Sequence, residues 1–296
     1  MQTMNSKVQS LKAFLASAGR VALVEVAGTK GSTPREKGAF MLVSQEAIFG
    51  TIGGGQLEYM AIDKARQMVG KEARIEVDEV CATLDVPLGP EIGQCCGGRV
   101  EVLIRLVDAS LATELVAAAE AEEAHLPHVY VFGGGHVGQA LAASLALLPV
   151  HAVVIETRSE ALEGMPETVE TRLTPMPEAE IRNAPAGTAF AILTHDHALD
   201  FLIVTEALKR DDAAYVGMIG SKTKKATFRN WFLKSGDGTE AEFARLVSPI
   251  GGDAVKDKRP PVIAALAAAE IMTALVMHSA ASNAGHQVRQ HKVMAG

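Results

Sequence analysis

The sequence predicts an α/β protein in two parts, an N-terminal mixed β/α domain followed by a C-terminal Rossmann-like doubly wound α/β domain. Three observations predict it. HVYVFGGG, the helical stretch HVGQALAASLALL and the strand-like HAVVIET follow one another directly, which is the grammar of a βαβ unit. TAFAILTHD and AAYVGMIGS are further short apolar runs, each followed by a helical pattern. Before residue 108 the pattern is different: VALVEVAG, AFMLVS, ARIEVDEV and GRVEVLIRLV read as strands separated by glycine turns. The chain has 296 residues, 48% of them hydrophobic, enough for one large core or two medium ones.

In chain order, the opening segment reads as an amphipathic helix with Val8, Leu11, Phe14 and Leu15 on one face. It has no h-region or small-residue cleavage site of a signal peptide. A helix over Glu58 to Val69 is expected to bury Met60, Ile62, Ala65 and Met68. The N-terminal domain is placed at residues 1–108. Residues 109–126, rich in alanine and glutamate, are expected to be a linker helix. The Rossmann-like domain takes 127–280, and 281–296 is expected to be a mobile tail because it lacks a core pattern. The most apolar late stretch, Val262 to Met277, contains Glu270 and reads as short for a membrane span. A formal charge of −7 argues against nucleic acid or an anionic membrane as partner. Three cysteines, two of them adjacent, make no disulfide framework. The chain therefore reads as soluble and cytoplasmic.

Chemistry concentrates in a few loops. Gly93-Gln94-Cys95-Cys96-Gly97-Gly98 sets two adjacent thiols in a glycine turn, where they serve as soft metal ligand, as nucleophile, or as small packed residues. Gly50-Thr51-Ile52-Gly53-Gly54-Gly55-Gln56 precedes a helix, a setting in which backbone amides can face an anion. Upstream, GTKGSTPREKG gathers Lys30, Arg35 and Lys37 in one loop, a clamp for phosphate or carboxylate or a solvated turn.

Gly133, Gly135 and Gly138 fit G-x-G-x-x-G between a strand and a helix, with His136 inside the turn. Glu156 ends the next strand, where an acidic residue bonds a ribose hydroxyl, and Arg158 beside it can meet a 2′-phosphate, so a preference between NAD and NADP stays open. His195-Asp196-His197 follows a strand and offers an acid or base, or a helix cap. Ser221 is expected to cap a helix whose Lys222, Lys224 and Lys225 form a solvated face. The spacing there rejects a P-loop.

GTKGSTPREKGAFMLV, GTIGGGQLE, GQCCGG, VFGGGHVG, THDHALD and YVGMIGSKTKK, in this order, resemble the xanthine dehydrogenase accessory proteins of XdhC type, the XdhC/CoxI family. The resemblance covers roughly residues 8 to 275. It implies a molybdenum cofactor chaperone: a maturation factor, not an enzyme, that binds a molybdopterin-type cofactor, holds it for sulfuration by a cysteine desulfurase and inserts it into apo-xanthine dehydrogenase. The family's cysteine carries over onto Cys95 or Cys96 as metal contact. Thr51, Gly53, Gly54, Gly55 and Gln56 would face the phosphate or pterin edge. Gly133, Gly135, His136, Gly138 and Glu156 would hold the same cofactor or a separate nucleotide such as NAD(P). After Pro249-Ile250-Gly251-Gly252 the chain departs from the family pattern. The alternative is an NAD(P)-dependent oxidoreductase using His195, which gives GTIGGGQLE and GQCCGG no role. A homodimer is the default assembly.

Overall fold

The computed structural model describes residues 6–70, 81–89 and 97–294, with residues 283–294 as backbone only. Residues 5–124 and 125–296 form two compact units.

The first unit runs α1 (Lys7–Ser17), β1 (Ala22–Lys30), β2 (Phe40–Val43), β3 (Ile48–Gly50), α2 (Gly55–Gly70), β4 (Cys81–Pro87), β5 (Arg99–Leu106) and α3 (Ala109–Ala124). Its strands form one antiparallel sheet in the order β3-β2-β1-β5-β4. The period-2 alternation of β1 sends Ala22, Val24 and Val26 to the face covered by α2, and Leu23 to the face covered by α1 and α3. On α1, Val8 and Leu11 are buried, with Phe14 and Leu15 packed beside them.

Two expectations need correction here. The buried stripe of α2 is Leu57, Ala61, Ala65, Met68 and Val69, while Met60 is exposed, because steps of four residues from Leu57 define the inward face and Met60 lies off it. Residues 109–124 are no free linker: α3 lies against α1, with Lys7–Glu122 at 2.8 Å and Lys12–Glu120 at 2.7 Å on its rim and Ala119 buried. The strand expected over ARIEVDEV lies outside the described residues, as do Cys95 and Cys96.

The second unit runs β6 (His128–Phe132), α4 (His136–Leu145), β7 (His151–Glu156), a 3₁₀ turn (Ser159–Leu162), β8 (Glu170–Leu173), α5 (Pro177–Asn183), β9 (Ala189–Ile192), α6 (His197–Leu208), β10 (Tyr215–Met218), α7 (Lys222–Ser235), α8 (Glu240–Phe243), β11 (Leu246–Val247) and α9 (Pro260–Met294). Its six strands are all parallel, in the order β11-β10-β9-β6-β7-β8. This is the doubly wound arrangement, with the order reversing between β6 and β9. Helices α4 and α9 cover one face and α5, α6 and α7 the other, so β6 and β9 are buried on both sides and carry unbroken apolar runs.

Backbone helix continues through α9 to Met294, across most of the segment expected as a tail. Pro260–Ser282 is by length and composition able to cross a membrane. In this fold, however, its Ala264, Ala267, Ile271 and Leu275 are buried against the sheet and α4. Glu270, the acid in that apolar helix, accepts the Tyr215 hydroxyl at 2.9 Å and the Gly251 N–H at 2.7 Å on the same oxygen.

Removing that shared acceptor leaves two donors without a partner. Glu270→Ala is expected to cost about 1–3 kcal/mol, and Tyr215→Phe about 1 kcal/mol. Urea unfolding followed by the fluorescence of Trp231, the single tryptophan, measures both. Equal losses would show that the Gly251 bond adds nothing.

Candidate functional site

In the first unit three loops meet. A Cβ on Gly98 would run into the Ser32 carbonyl oxygen, and one on Gly31 would lie 3.3 Å from the Gly98 Cα. On its other side the same loop packs Pro34 onto Gly53, whose hypothetical Cβ would stand 2.7 Å from Pro34 Cγ. Only glycine permits such approach, and Gly53 also holds φ at +125°. Leu88 and Gly97–Gly98 are fastened to each other by Leu88 N–H to Gly98 O at 2.8 Å and Gly97 N–H to Leu88 O at 2.9 Å. The GTKGSTPRE loop is thus gripped between the end of the cysteine loop and the GTIGGG loop, with Lys30, Arg35 and Lys37 exposed on it. Beside it lies a hollow of about 170 Å³ lined by Gly28, Thr29, Lys30, Asp85, Arg99 and Glu101, where Arg99 binds Asp85 through two bonds of 2.5 Å.

Thr51, Gly53 and Gly54, expected to face a phosphate, lie in a turn whose first donors meet a carboxylate of the same chain. Glu58, in the first turn of α2, accepts the Thr51 hydroxyl and the Ile52 N–H at 2.9 Å, while the Gly53 N–H donates to the Thr51 oxygen at 3.1 Å. Partial burial pushes the Glu58 carboxyl up, but bonds from Thr51, Ile52, Gly54 and Gly53 outweigh it and hold it below the usual carboxylate range. Gly55 and Gln56 stay exposed at the start of α2.

In the second unit the glycine turn sits at the carboxyl end of β6, at the switch point of the sheet. A Cβ on Gly133 would stand 2.7 Å from the Leu193 carbonyl oxygen, which shows how closely the β6 and β9 ends approach. A Cβ on Gly138 would run into the Gly133 oxygen, but around Gly135, the residue before α4, nothing lies within 4 Å. That opening is where a pyrophosphate would approach in a dinucleotide fold, so the turn fits such a group. His136 is exposed at the same rim.

Glu156 is where the expectation fails: it is buried, not presented to a ribose. It accepts from Gly134 N–H at 2.9 Å, Thr157 N–H at 2.7 Å, Thr157 Oγ1 at 3.1 Å and Arg158 N–H at 3.2 Å. Burial raises its carboxyl, yet these bonds and the Arg158 side chain dominate and hold it at about 2.

His195 and His197 are exposed, and Asp196 caps α6 by accepting from Ala198 N–H at 2.8 Å. Ser221 caps α7 as expected. Lys224 is a correction: it is buried, not solvated, and is paired with the fully buried Asp200. Asp200 also accepts from Thr194 N–H at 3.1 Å and Thr194 Oγ1 at 2.6 Å, and Lys224 donates to the Ile219 carbonyl at 3.0 Å. One ion pair therefore fixes the loops that follow β9 and β10. The signal missed was the acid in HALDFLIVTEAL, a charge in a helix otherwise apolar on that side. Among the described residues no group of three His, Cys, Asp or Glu side chains could hold a metal ion.

Comparison with known proteins places these loops in context. Residues 14–78 match the family model described as XdhC and CoxI family, and residues 129–271 match the XdhC Rossmann domain. The chain is 27% identical over 268 residues to a protein of Escherichia coli K12 named "Uncharacterized protein YqeB". The match takes in 85% of this chain but only 43% of that relative's length. A crystal structure from Bacillus halodurans, titled as a xanthine dehydrogenase, superposes with a TM-score of 0.74 at 17% identity, covering 92% of this chain and 96% of that one. At that identity it shares the fold.

Asp200→Asn keeps the acceptor for Thr194 but leaves Lys224 buried without its counter-charge, and is expected to cost about 3–5 kcal/mol. Adding Lys224→Met should recover part of that loss. A double variant as unstable as the sum of both singles would refute the coupling. Glu156, depressed from about 4.5 to about 2, contributes stability that is complete above about 4.5 and is lost as the pH falls through about 2. The stability gap between wild type and Glu156→Gln should therefore be full at pH 6, narrow between those values and close below them.

Proposed function

This chain belongs to the XdhC family, and on that premise we propose that it is a maturation factor that carries a molybdenum cofactor to apo-xanthine dehydrogenase. The observation that carries the proposal is the meeting of the GTKGSTPRE, GTIGGG and Gly97–Gly98 loops in the first unit. The donor set suits a molybdopterin-type group: soft thiols precede Gly97 directly in sequence, and exposed cations sit on the loop that Gly98 packs against. Because the Thr51 hydroxyl and the Ile52 amide already serve Glu58, the phosphate of the cofactor would be met by Lys30, Arg35 and Lys37, with Gly55 and Gln56 at the edge. Cys95 or Cys96 would be the metal contact.

When bound, the cofactor supplies the molybdenum centre that the mature enzyme uses. The chain's own part is to hold and release. A single thiolate among exposed, solvated donors gives a bond that can be exchanged, whereas a closed set of ligands would trap the metal. On this proposal a cysteine desulfurase acts on the held cofactor, and the carrier works as a homodimer with no turnover of its own.

Equilibrium binding of freshly released molybdenum cofactor to wild type, Cys95→Ala and Cys96→Ala tests it. Binding at micromolar level or tighter should fall at least roughly tenfold in one cysteine variant. It should also weaken in Lys30→Ala/Arg35→Ala. Full affinity in all three would sink the assignment.

A further inference from the structure

The glycine turn of the second unit leaves Gly135 open for a pyrophosphate, and the residues after β7 then decide which ribose can follow. At that position in a doubly wound sheet, NAD is held by a carboxylate that accepts the ribose hydroxyls. Here the carboxylate is out of reach. The Glu156 side chain is only 4% exposed, and both of its oxygens are already filled by the Gly134, Thr157 and Arg158 donors described above. A carboxylate offers about four lone-pair directions, so a ribose hydroxyl would have to displace an existing donor.

What this position presents outward is Arg158. Its side chain is 40% exposed and touches Glu156 only through long bonds, Nε at 3.4 Å and Nη2 at 3.3 Å. A guanidinium has five N–H donors and no acceptor, so donors remain for a ligand. It cannot accept from a diol, but it matches a phosphate in a two-bond fork. The exposed hydroxyl residue Ser159 follows directly in the chain. The negative charge of Glu156 beneath is already shared among its backbone and side-chain donors, which reduces the cost of a phosphate nearby.

We propose that the Rossmann half binds a dinucleotide carrying a phosphate on its adenosine ribose, of the NADP class, in preference to NAD, and that Arg158 is the residue that sets this preference. The site lies wholly within the second unit and is independent of the cysteine loop, so its test involves no molybdenum cofactor.

The full chain is titrated with NADPH and with NADH, read by nucleotide fluorescence, with 2′,5′-ADP and 5′-ADP as competitors. NADPH should bind at least roughly tenfold more tightly than NADH, and 2′,5′-ADP should displace it better than 5′-ADP. Arg158→Ala should abolish that ratio by weakening NADPH while leaving NADH within about threefold, and Arg158→Lys should restore part of it. Equal affinity of the wild type for both nucleotides, tighter binding of NADH, or binding of neither would overturn the proposal. So would an Arg158→Ala protein of unchanged thermal stability that keeps the wild-type ratio. The wild-type ratio needs no variant, and Arg158→Gln gives a second side chain should alanine not fold.

Discussion

A backbone N–H at the mouth of a helix must find an acceptor, and the GTIGGG and GGGHVG turns each meet that need with a glutamate. Glu58 takes the donors of the GTIGGG turn, and Glu156 takes the Gly134 N–H of the GGGHVG turn. The consequence is the same in the two units. Loops whose composition advertises anion binding are shaped around an internal anion, and both carboxyls are held below their ordinary range by these bonds. On the two proposals above, ligand contacts would therefore lie further out, at Lys30, Arg35 and Lys37 in one unit and at Gly135 and Arg158 in the other. A glycine-rich turn before a helix has two ways to be satisfied, and only the side chain three or more residues onward tells which is used.

On the other side of the switch point the same problem is solved with a pair. Asp200 and Lys224 would each be costly in a buried site, and their mutual attraction becomes worthwhile only because the remaining valences are occupied. Thr194 donates twice to Asp200, and Ile219 accepts from Lys224. Since Thr194 follows β9 and Ile219 follows β10, the pair ties neighbouring strand ends to α6 and α7. The crevice edge is therefore built from bonds internal to the protein. The groups left outward there, His195 and His197, carry no such restraint among the described residues.

The legible parts of the fold were those with strong periodicity. His128–Phe132 and Ala189–Ile192 are buried on both faces, so they read as unbroken apolar runs, and the glycine turn between β6 and α4 completes a recognisable βαβ unit. The strands that went unread are short and at or near edges: Ile48–Gly50, Glu170–Leu173 and Leu246–Val247 hold two to four residues each. Their pairing comes from the neighbouring strand and not from their own pattern. Cys81–Pro87 is an edge strand with an exposed, mixed pattern, for the same reason. At the sites, residue type was legible and orientation was not. GTIGGGQLE and VFGGGHVG were found from composition, but nothing in one sequence says that Glu58 and Glu156 turn inward onto the adjacent turn.

That inward turn changes what an acid at the end of the second strand means. Position alone assigns it to a ribose, because in an open sheet the strand ends face the crevice. Burial then reassigns it. A carboxylate that is 4% exposed and accepts from Gly134, Thr157 and Arg158 acts on the ligand only through those it holds. It accepts from the glycine turn and from Arg158, whose side chain is 40% exposed, so that on the proposal above the group a ligand meets at this strand end is a guanidinium. The proposed preference thus turns on one side chain's depth. A Rossmann turn of unremarkable sequence can favour a phosphate where its acidic residue would suggest a diol.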